Sequence, residues 1–164
     1  MRILVVTQYF WPENFRINDL CAELVNRGHE VTVLTGKPNY PDGKVFDGYL
    51  IRPADYNVYE GSAIIRVPMI PRGQGSSLKL GLNYLSFALS ASTFGFLKLR
   101  NKRFDVIFVC QLSPITSALP AILYRSIRRT PIAMWVLDLW PDSLAAVGTV
   151  QSPRVLALVG KLVS

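Results

Sequence analysis

The stretch RILVVTQYFWPENFRINDLCAELVNRGHEVTVLTG, residues 2–36, carries two apolar patterns in alternation. Its first residues are almost continuously apolar, which is typical of a parallel strand buried on both faces. Apolar residues then recur at helical spacing, and a glycine follows where helices commonly end. These residues are Ile17, Leu20, Cys21, Leu24, Val25 and Gly28. HEVTVLTG reads as the next strand, so the stretch predicts a right-handed β-α-β unit with parallel strands.

The remaining segments continue this alternation. Residues 36–61 are rich in Gly, Pro, Asn and Tyr, and we expect a functional connection that ends in a hairpin turning at Glu60 and Gly61. The segments AIIRVP, FDVIFV and PIAMWVL read as strands. Residues 78 to about 100, ITSALPAILYRSIRR and the segment from about Pro153 read as helices, with Pro120 expected to kink the second. This order predicts an α/β fold with a Rossmann-like, doubly wound, mostly parallel sheet.

The totals fit one globular domain. The 164 residues are 50% hydrophobic and 18% charged, and we expect no export signal. Cys21 and Cys110 lie far apart in apolar segments, which favours reduced, buried thiols over a disulfide or a metal site. We therefore expect a cytoplasmic protein. The net charge of +7 is compatible with nucleic acid, an anionic membrane or a phosphorylated substrate, so the position of the charges must decide.

Ligands bind open parallel sheets beyond the carboxyl ends of the strands. Five loops meet that edge: QYFWPENFR, GKPNYPDGKVFDGY, PRGQGSS, CQLSP and DLWPDS. They carry cations at Arg16, Lys37, Lys44, Arg72 and Lys79 and carboxylates at Glu13, Asp42, Asp47, Asp138 and Asp142. A site of mixed sign suits a phosphorylated sugar better than nucleic acid, which we do not expect as a partner. The first loop has no glycine, which argues against a nicotinamide dinucleotide site, and no P-loop occurs.

Two further features leave alternatives open. Seven cations lie at the opposite edge of the predicted sheet: Lys98, Arg100, Lys102, Arg103, Arg125, Arg128 and Arg129. They complement helix dipoles on a solvated edge, or they face a membrane. Residues 80–97 contain no charged side chain, so their helix covers the sheet, dips into a lipid interface or spans a bilayer. A span would place the third and fourth strands on opposite sides of the membrane.

Several segments together resemble a known family. They are RILVVTQYFWPENFRINDL, RGHEVTVLTG with its PNYPDG continuation, the GY at positions 48 and 49, and DLWPDS. The combination is similar to the N-terminal half of retaining GT-B glycosyltransferases of family 4, over essentially the whole chain. The likeness is greatest to the branch that builds bacterial O-antigen, capsule and colanic-acid-type polysaccharides, which includes transferases of N-acetylfucosamine.

The resemblance implies a two-domain enzyme, with residues 1–164 as the N-terminal, acceptor-binding Rossmann-like domain. The nucleotide-sugar would be held by a C-terminal domain that is absent from this chain, so we expect this half alone to bind without turnover. The enzyme would transfer a sugar from a nucleoside-diphosphate donor with retention, without a metal or another cofactor. Its acceptor would be a polyprenyl-diphosphate-linked saccharide, and the protein would lie on the inner face of the plasma membrane.

The resemblance and the sheet edge together give the candidate site residues. Asp138 and Glu13 are the candidate catalytic residues; Asp138 matches the Asp of a family His-Asp pair, and Leu137 stands where the His would be. Candidate acceptor-binding and phosphate-binding residues are Tyr9, Trp11, Asn14, Arg16, Lys37, Asn39, Tyr40, Arg72 and Trp140. Simpler roles are a turn or cap for Asp138, a helix-dipole contact for Glu13, and packing against neighbouring loops for the two tryptophans.

Two other functions fit the same residues. The chain could be a non-catalytic module that binds a membrane surface through its apolar helix and basic edge. It could also be half of a GT-B-like enzyme that epimerises a nucleotide-sugar.

Overall fold

The computed structural model describes residues 1–112 and 114–137, and the fold is that of these residues. They form a six-stranded sheet in the order β3-β4-β2-β1-β5-β6. The strands are β1 (Arg2–Thr7), β2 (Glu30–Gly36), β3 (Val58–Tyr59), β4 (Ser62–Val67), β5 (Val106–Gln111) and β6 (Ile132–Val136). The hairpin of β3 and β4 is antiparallel, and every other pairing is parallel. The predicted Rossmann-like class is confirmed.

Five α-helices flank the sheet within the described residues. They are α1 (Arg16–Asn26), α2 (Asp47–Ile51), α3 (Ser77–Ser90), α4 (Phe96–Leu99) and α5 (Leu119–Arg128). A π-helix, Ala91–Gly95, joins α3 to α4, and short 3-10 helices occupy Pro53–Tyr56 and Ile115–Ala118. The sequence did not predict α2 or the first 3-10 helix, because both are too short to show an apolar period.

Helix ends follow the local chemistry of the chain. Gly28 has a φ of +81°, and its N–H donates to the Val25 carbonyl at 2.8 Å, which confirms the predicted cap of α1. Pro120 was expected to kink a helix, and this expectation is wrong. A 3-10 turn ends at Ala118, and Pro120 then lies in the first turn of α5, where a backbone N–H has no helical partner to lose.

The core has two layers, one on each face of the sheet. Helix α1 covers one face, where Ile17 and Cys21 pack against Val5 of β1. Helices α3 and α5 cover the other face, where Phe87 and Tyr124 belong to the second buried cluster. Cys21 and Cys110 are both buried, as predicted, and their reduced state stays a prediction.

The strand order fixes where a ligand crevice must lie. Strand β1 pairs with β2 on one side and with β5 on the other, so successive strands are added in opposite directions from β1. In doubly wound sheets the binding crevice opens at the carboxyl ends of such a strand pair. Gln8 directly follows β1 and Gln111 ends β5, and both are buried at this point.

Candidate functional site

Three loops at the carboxyl edge form the candidate site, and we call them the rim loops: residues 8–15, 37–46 and 68–76. The Glu13 carboxylate joins the first two. One of its oxygens accepts the backbone N–H groups of Asn39 at 2.8 Å and Tyr40 at 2.7 Å. The other accepts the N–H of Phe10 at 3.1 Å. Glu13 therefore fixes the separation of the first and second rim loops.

Glu13 lies beneath the rim loops, with 2% of the residue exposed. Burial raises the pKa of Glu13 from an ordinary value of 4.5 to about 7, while its three backbone N–H donors and the Arg66 guanidinium oppose the rise. The geometry gives Glu13 a positioning role. A catalytic role in contact with a ligand stays a prediction, since its oxygens face backbone N–H groups in this structure.

Arg66 of strand β4 ties the first rim loop to the end of β2. Its guanidinium donates to the Gly36 carbonyl at 2.9 Å and to the Trp11 carbonyl, and it lies over the ring of Tyr49, 5.5 Å from the centroid. Burial lowers the pKa of Arg66 to about 10, and the nearby Glu13 opposes that change. Arg66 was not predicted as a site residue from the sequence. Its signal was a lone cation inside the apolar strand AIIRVP.

Asn39 and two glycines tie the third rim loop to the second. The Asn39 side chain donates to the Lys37 carbonyl at 2.9 Å and accepts the N–H of Arg72 at 3.0 Å. The Gly73 N–H donates to the Gly43 carbonyl at 3.0 Å. A Cβ on Gly43 would lie 2.2 Å from the Gly73 oxygen, and Gly43 has a φ of +74°, so both space and backbone require glycine there.

Aromatic rings fill the space between the first two rim loops. Tyr9, Phe15 and Tyr40 contact one another, with ring centroids 5.1 to 5.8 Å apart. The Tyr9 hydroxyl donates to the Asn83 side chain at 2.8 Å, and burial raises the pKa of Tyr9. Asn83 also accepts from the Gln8 amide at 2.6 Å. This network anchors the rim to helix α3.

Trp11 lies on the other side of the first rim loop. Its ring packs against those of Tyr56, at a centroid distance of 5.1 Å, and Tyr59, at 5.4 Å. The structure thus places Trp11 among neighbouring aromatic residues, away from Tyr40. This packing corresponds to the simpler role considered for the residue, and sugar stacking by Trp11 stays a prediction.

Cations line the outer surface of the rim. Asn14 and Arg16 are exposed, and Lys37 is half-buried. The Arg72 guanidinium lies over the Tyr40 ring, 5.1 Å from its centroid. Arg72 also lines a cavity of about 270 Å³ that includes Ser76 and Ser77, at the N-terminus of α3. A cation beside a helix N-terminus is suited to phosphate oxygens.

Other predicted residues are not placed by the structure. Asp138 and Trp140 lie outside the described residues, so their roles stay predictions. Within residues 1–112 and 114–137, no three His, Cys, Asp or Glu side chains come together as a metal site.

Buried Gln8 has a side-chain oxygen without a hydrogen-bond partner among these residues, at the crevice between β1 and β5. Gln8 was not predicted as a site residue from the sequence.

Comparison with known proteins identifies the family. A family model described as the glycosyl transferase 4-like domain matches residues 14–163. The chain belongs to this family. A 96-residue stretch is 36% identical to a protein of Escherichia coli (strain K12), WcaI, whose name assigns it to colanic acid biosynthesis as a glycosyl transferase. The match covers 56% of this glycosyl transferase 4-like chain and 23% of WcaI.

Solved structures agree on the fold of the glycosyl transferase 4-like domain. CalG4, the calicheamicin glycosyltransferase, matches with a TM-score of 0.61 at 12% identity, over 99% of this chain and 40% of CalG4. The glycosyltransferase of kitacinnamycin matches with a TM-score of 0.57 at 18% identity, over 93% of this chain and 36% of its own length. These identities show the fold alone, which is that of a Rossmann-like half of a GT-B glycosyltransferase.

Proposed function

We propose that the chain is the acceptor-binding half of a retaining glycosyltransferase that acts in bacterial surface polysaccharide synthesis. The donor is a nucleoside-diphosphate sugar, and the acceptor is a saccharide linked to a polyprenyl diphosphate. The enzyme works on the inner face of the plasma membrane. The family match and the name of WcaI support the reaction class and the pathway class. The chain spans only part of its relatives, so the reaction is a proposal about the whole protein.

The observation that carries this proposal is the cationic rim. Arg72 lines a cavity of about 270 Å³ together with Ser76 and Ser77 at the N-terminus of α3, and Lys37 lies on the neighbouring loop. Positive charge beside a helix N-terminus suits the oxygens of a diphosphate. We assign these groups to the acceptor diphosphate. Asp138 keeps its predicted role in orienting the acceptor hydroxyl or the donor sugar.

The buried hydrogen bonds of Glu13, Arg66 and Asn39 would hold a bound acceptor in one position. Glu13 holds backbone groups of two rim loops, Arg66 ties the first rim loop to the end of β2, and Asn39 positions the backbone of Arg72. The loops are thus fixed before a ligand arrives, which lowers the entropy lost on binding. In sugar transfer to an acceptor hydroxyl, this rigidity would keep the hydroxyl at a constant distance from the donor.

A transfer assay with the whole protein tests the proposal. Radiolabelled nucleotide-sugars are offered together with farnesyl diphosphate-linked N-acetylglucosamine, and product formation is measured against the concentration of each substrate. We expect transfer with retained anomeric configuration. Arg72→Gln should raise the KM for the acceptor by about tenfold or more, because one charge-assisted contact is lost, and leave the donor KM unchanged.

Lys44→Gln is the matched control. Lys44 lies on the second rim loop, but its ammonium group is 3.8 Å from the Asp47 carboxylate and both side chains are well exposed. The control should behave as wild type. Equal effects of Arg72→Gln on donor and acceptor KM would contradict the acceptor assignment. Conversion of the nucleotide-sugar without any acceptor would instead indicate an epimerase.

A further inference from the structure

Helix α3 and its continuation through α4 expose an apolar stripe. Six large apolar residues, each between 40% and 74% exposed, share one side of the helix: Leu78, Leu82, Leu85, Leu89, Phe94 and Leu97. At 100° per residue, the first four fall within an arc of about 60°. The core-facing residues Asn83, Phe87 and Ala91 lie on the opposite side. We call the six residues the α3 stripe.

The π-helix keeps the α3 stripe continuous. A π-helical turn inserts one extra residue into an α-helix, which shifts all later side chains by about 100°. Phe94 and Leu97 would leave the stripe in a regular α-helix. The turn at Ala91–Gly95 brings them back to the side of Leu89. The same shift keeps Leu99, which is fully buried, on the core side.

Charge is distributed unevenly between the two halves of the described chain. Residues 1–60 contain six Lys and Arg and eight Asp and Glu, whereas residues 61–137 contain ten Lys and Arg and one carboxylate, Asp105. The second half includes α3 and α5, which cover the same face of the sheet. A soluble helix usually carries charged residues opposite its core face, whereas the α3 stripe has none.

Cations lie near both ends of the α3 stripe. Lys79 is exposed in the first turn of α3. Arg100, Lys102 and Arg103 are exposed directly after α4. Arg103 also lines a cavity of about 360 Å³ together with Arg2 and Arg128, at the edge opposite the rim. An apolar stripe between cationic ends matches an interface of acyl chains and anionic headgroups.

A groove connects the α3 stripe with the rim. Its volume is about 570 Å³, and its lining is mainly apolar. Leu89 and Phe94 of the stripe form one wall, Met69 and Ile70 of the third rim loop contribute another, and Lys37 lies at its side. A lipid chain that leaves a bilayer beneath the stripe could therefore reach Lys37 at the rim along a mainly apolar surface.

We propose that the α3 stripe docks this protein on an anionic phospholipid bilayer, with the stripe inserted at the interface of one leaflet. By length and composition, Ser77–Leu99 is also compatible with a membrane span. The sheet excludes that arrangement, because β4 before the helix and β5 after it belong to one sheet with β2 and β1 between them. The docking proposal goes beyond the proposed reaction and needs neither donor nor acceptor.

Vesicle sedimentation tests the docking. The whole protein is mixed with vesicles of phosphatidylcholine, or of phosphatidylcholine with phosphatidylglycerol, both without any saccharide lipid. We expect pelleting with the anionic vesicles that weakens as salt is added, and weaker pelleting with neutral vesicles. Leu85→Gln/Leu89→Gln should reduce binding by about tenfold or more, because two half-exposed leucines no longer enter the apolar layer.

Leu50→Gln/Ile51→Gln is the matched control. Leu50 and Ile51 are similarly exposed, at 61% and 75%, but lie in the short helix α2. The control should bind vesicles as wild type does, and circular dichroism should show that both variants are folded. The proposal is overturned if wild type ignores anionic vesicles or if the stripe variant binds normally. A change of molar mass in the stripe variant also overturns it, because a second copy would then cover the stripe. Because these vesicles contain no substrate, failure here leaves the transfer assay unaffected.

Discussion

The most informative perturbation is Glu13→Gln, which removes a buried carboxylate and keeps its shape. One amide oxygen can still accept the N–H groups of Asn39 and Tyr40, but an NH₂ group then faces the N–H of Phe10. A buried N–H without a partner lowers the free energy of unfolding by about 1 to 3 kcal/mol. We expect a loss of this size at pH 5.

The pH dependence of this loss follows from the raised pKa of Glu13. Since burial raises the pKa to about 7 in the folded state, the folded protein binds the proton more tightly than the unfolded chain. The stabilisation by the protonated form is complete below the ordinary value of 4.5 and disappears as pH rises through 7. Between pH 5 and pH 8, the free energy of unfolding of wild type should fall by about 2.5 kcal/mol more than that of Glu13→Gln.

Urea unfolding of both proteins at pH 5, 6, 7 and 8, followed by circular dichroism, measures this difference. Wild type should be the more stable protein at pH 5, and the gap should close or reverse by pH 8. All other ionisable groups are common to both proteins and cancel in the comparison. A gap that is constant, or that widens with pH, would refute the reasoning. It would show that the three N–H donors and Arg66 outweigh burial and keep the carboxylate ionised.

Three further substitutions test the bracing of the rim by urea unfolding. Gly43→Ala should lower the free energy of unfolding by about 2 kcal/mol more than Gly75→Ala does. Both glycines have positive φ, but only a Cβ at position 43 would meet backbone atoms within 3 Å. Equal losses in the two variants would contradict the close approach. Arg66→Met should lower the free energy of unfolding by about 3 kcal/mol, because it leaves buried carbonyls unpaired. Arg52→Met, which removes an exposed ion pair, should change the free energy of unfolding little. Tyr9→Phe removes a buried hydrogen bond and should lower the free energy of unfolding by about 1 kcal/mol. An unchanged urea midpoint would argue against that bond.

Sequence patterns predicted the scaffold because burial imposes a period on the chain. The continuous apolar runs gave the parallel strands, and the helical spacing around Cys21 gave α1 with its cap at Gly28. The rim loops were located by the same logic, since loops after parallel strands share one edge. Short elements such as α2 have no repeated period, and Pro120 shows that a proline marks a boundary without specifying its form.

The internal contacts of the site could not be predicted from the sequence. Glu13 was expected to face a ligand or a helix end, and the structure shows it accepting N–H groups from positions 26 and 27 residues away. Arg66 reaches the Trp11 carbonyl across 55 residues. Such pairings depend on how loops approach one another in space. A lone charge in an apolar strand indicates that a buried partner exists but does not identify it.

The proposed function depends on the cationic rim holding the acceptor diphosphate. Isothermal titration calorimetry of the whole protein with farnesyl diphosphate-linked N-acetylglucosamine, without donor, measures this binding by itself. We expect binding to wild type and to Lys44→Gln, and a dissociation constant about tenfold to a hundredfold higher for Arg72→Gln. Undiminished binding to Arg72→Gln would contradict the account, as would the same loss in Lys44→Gln.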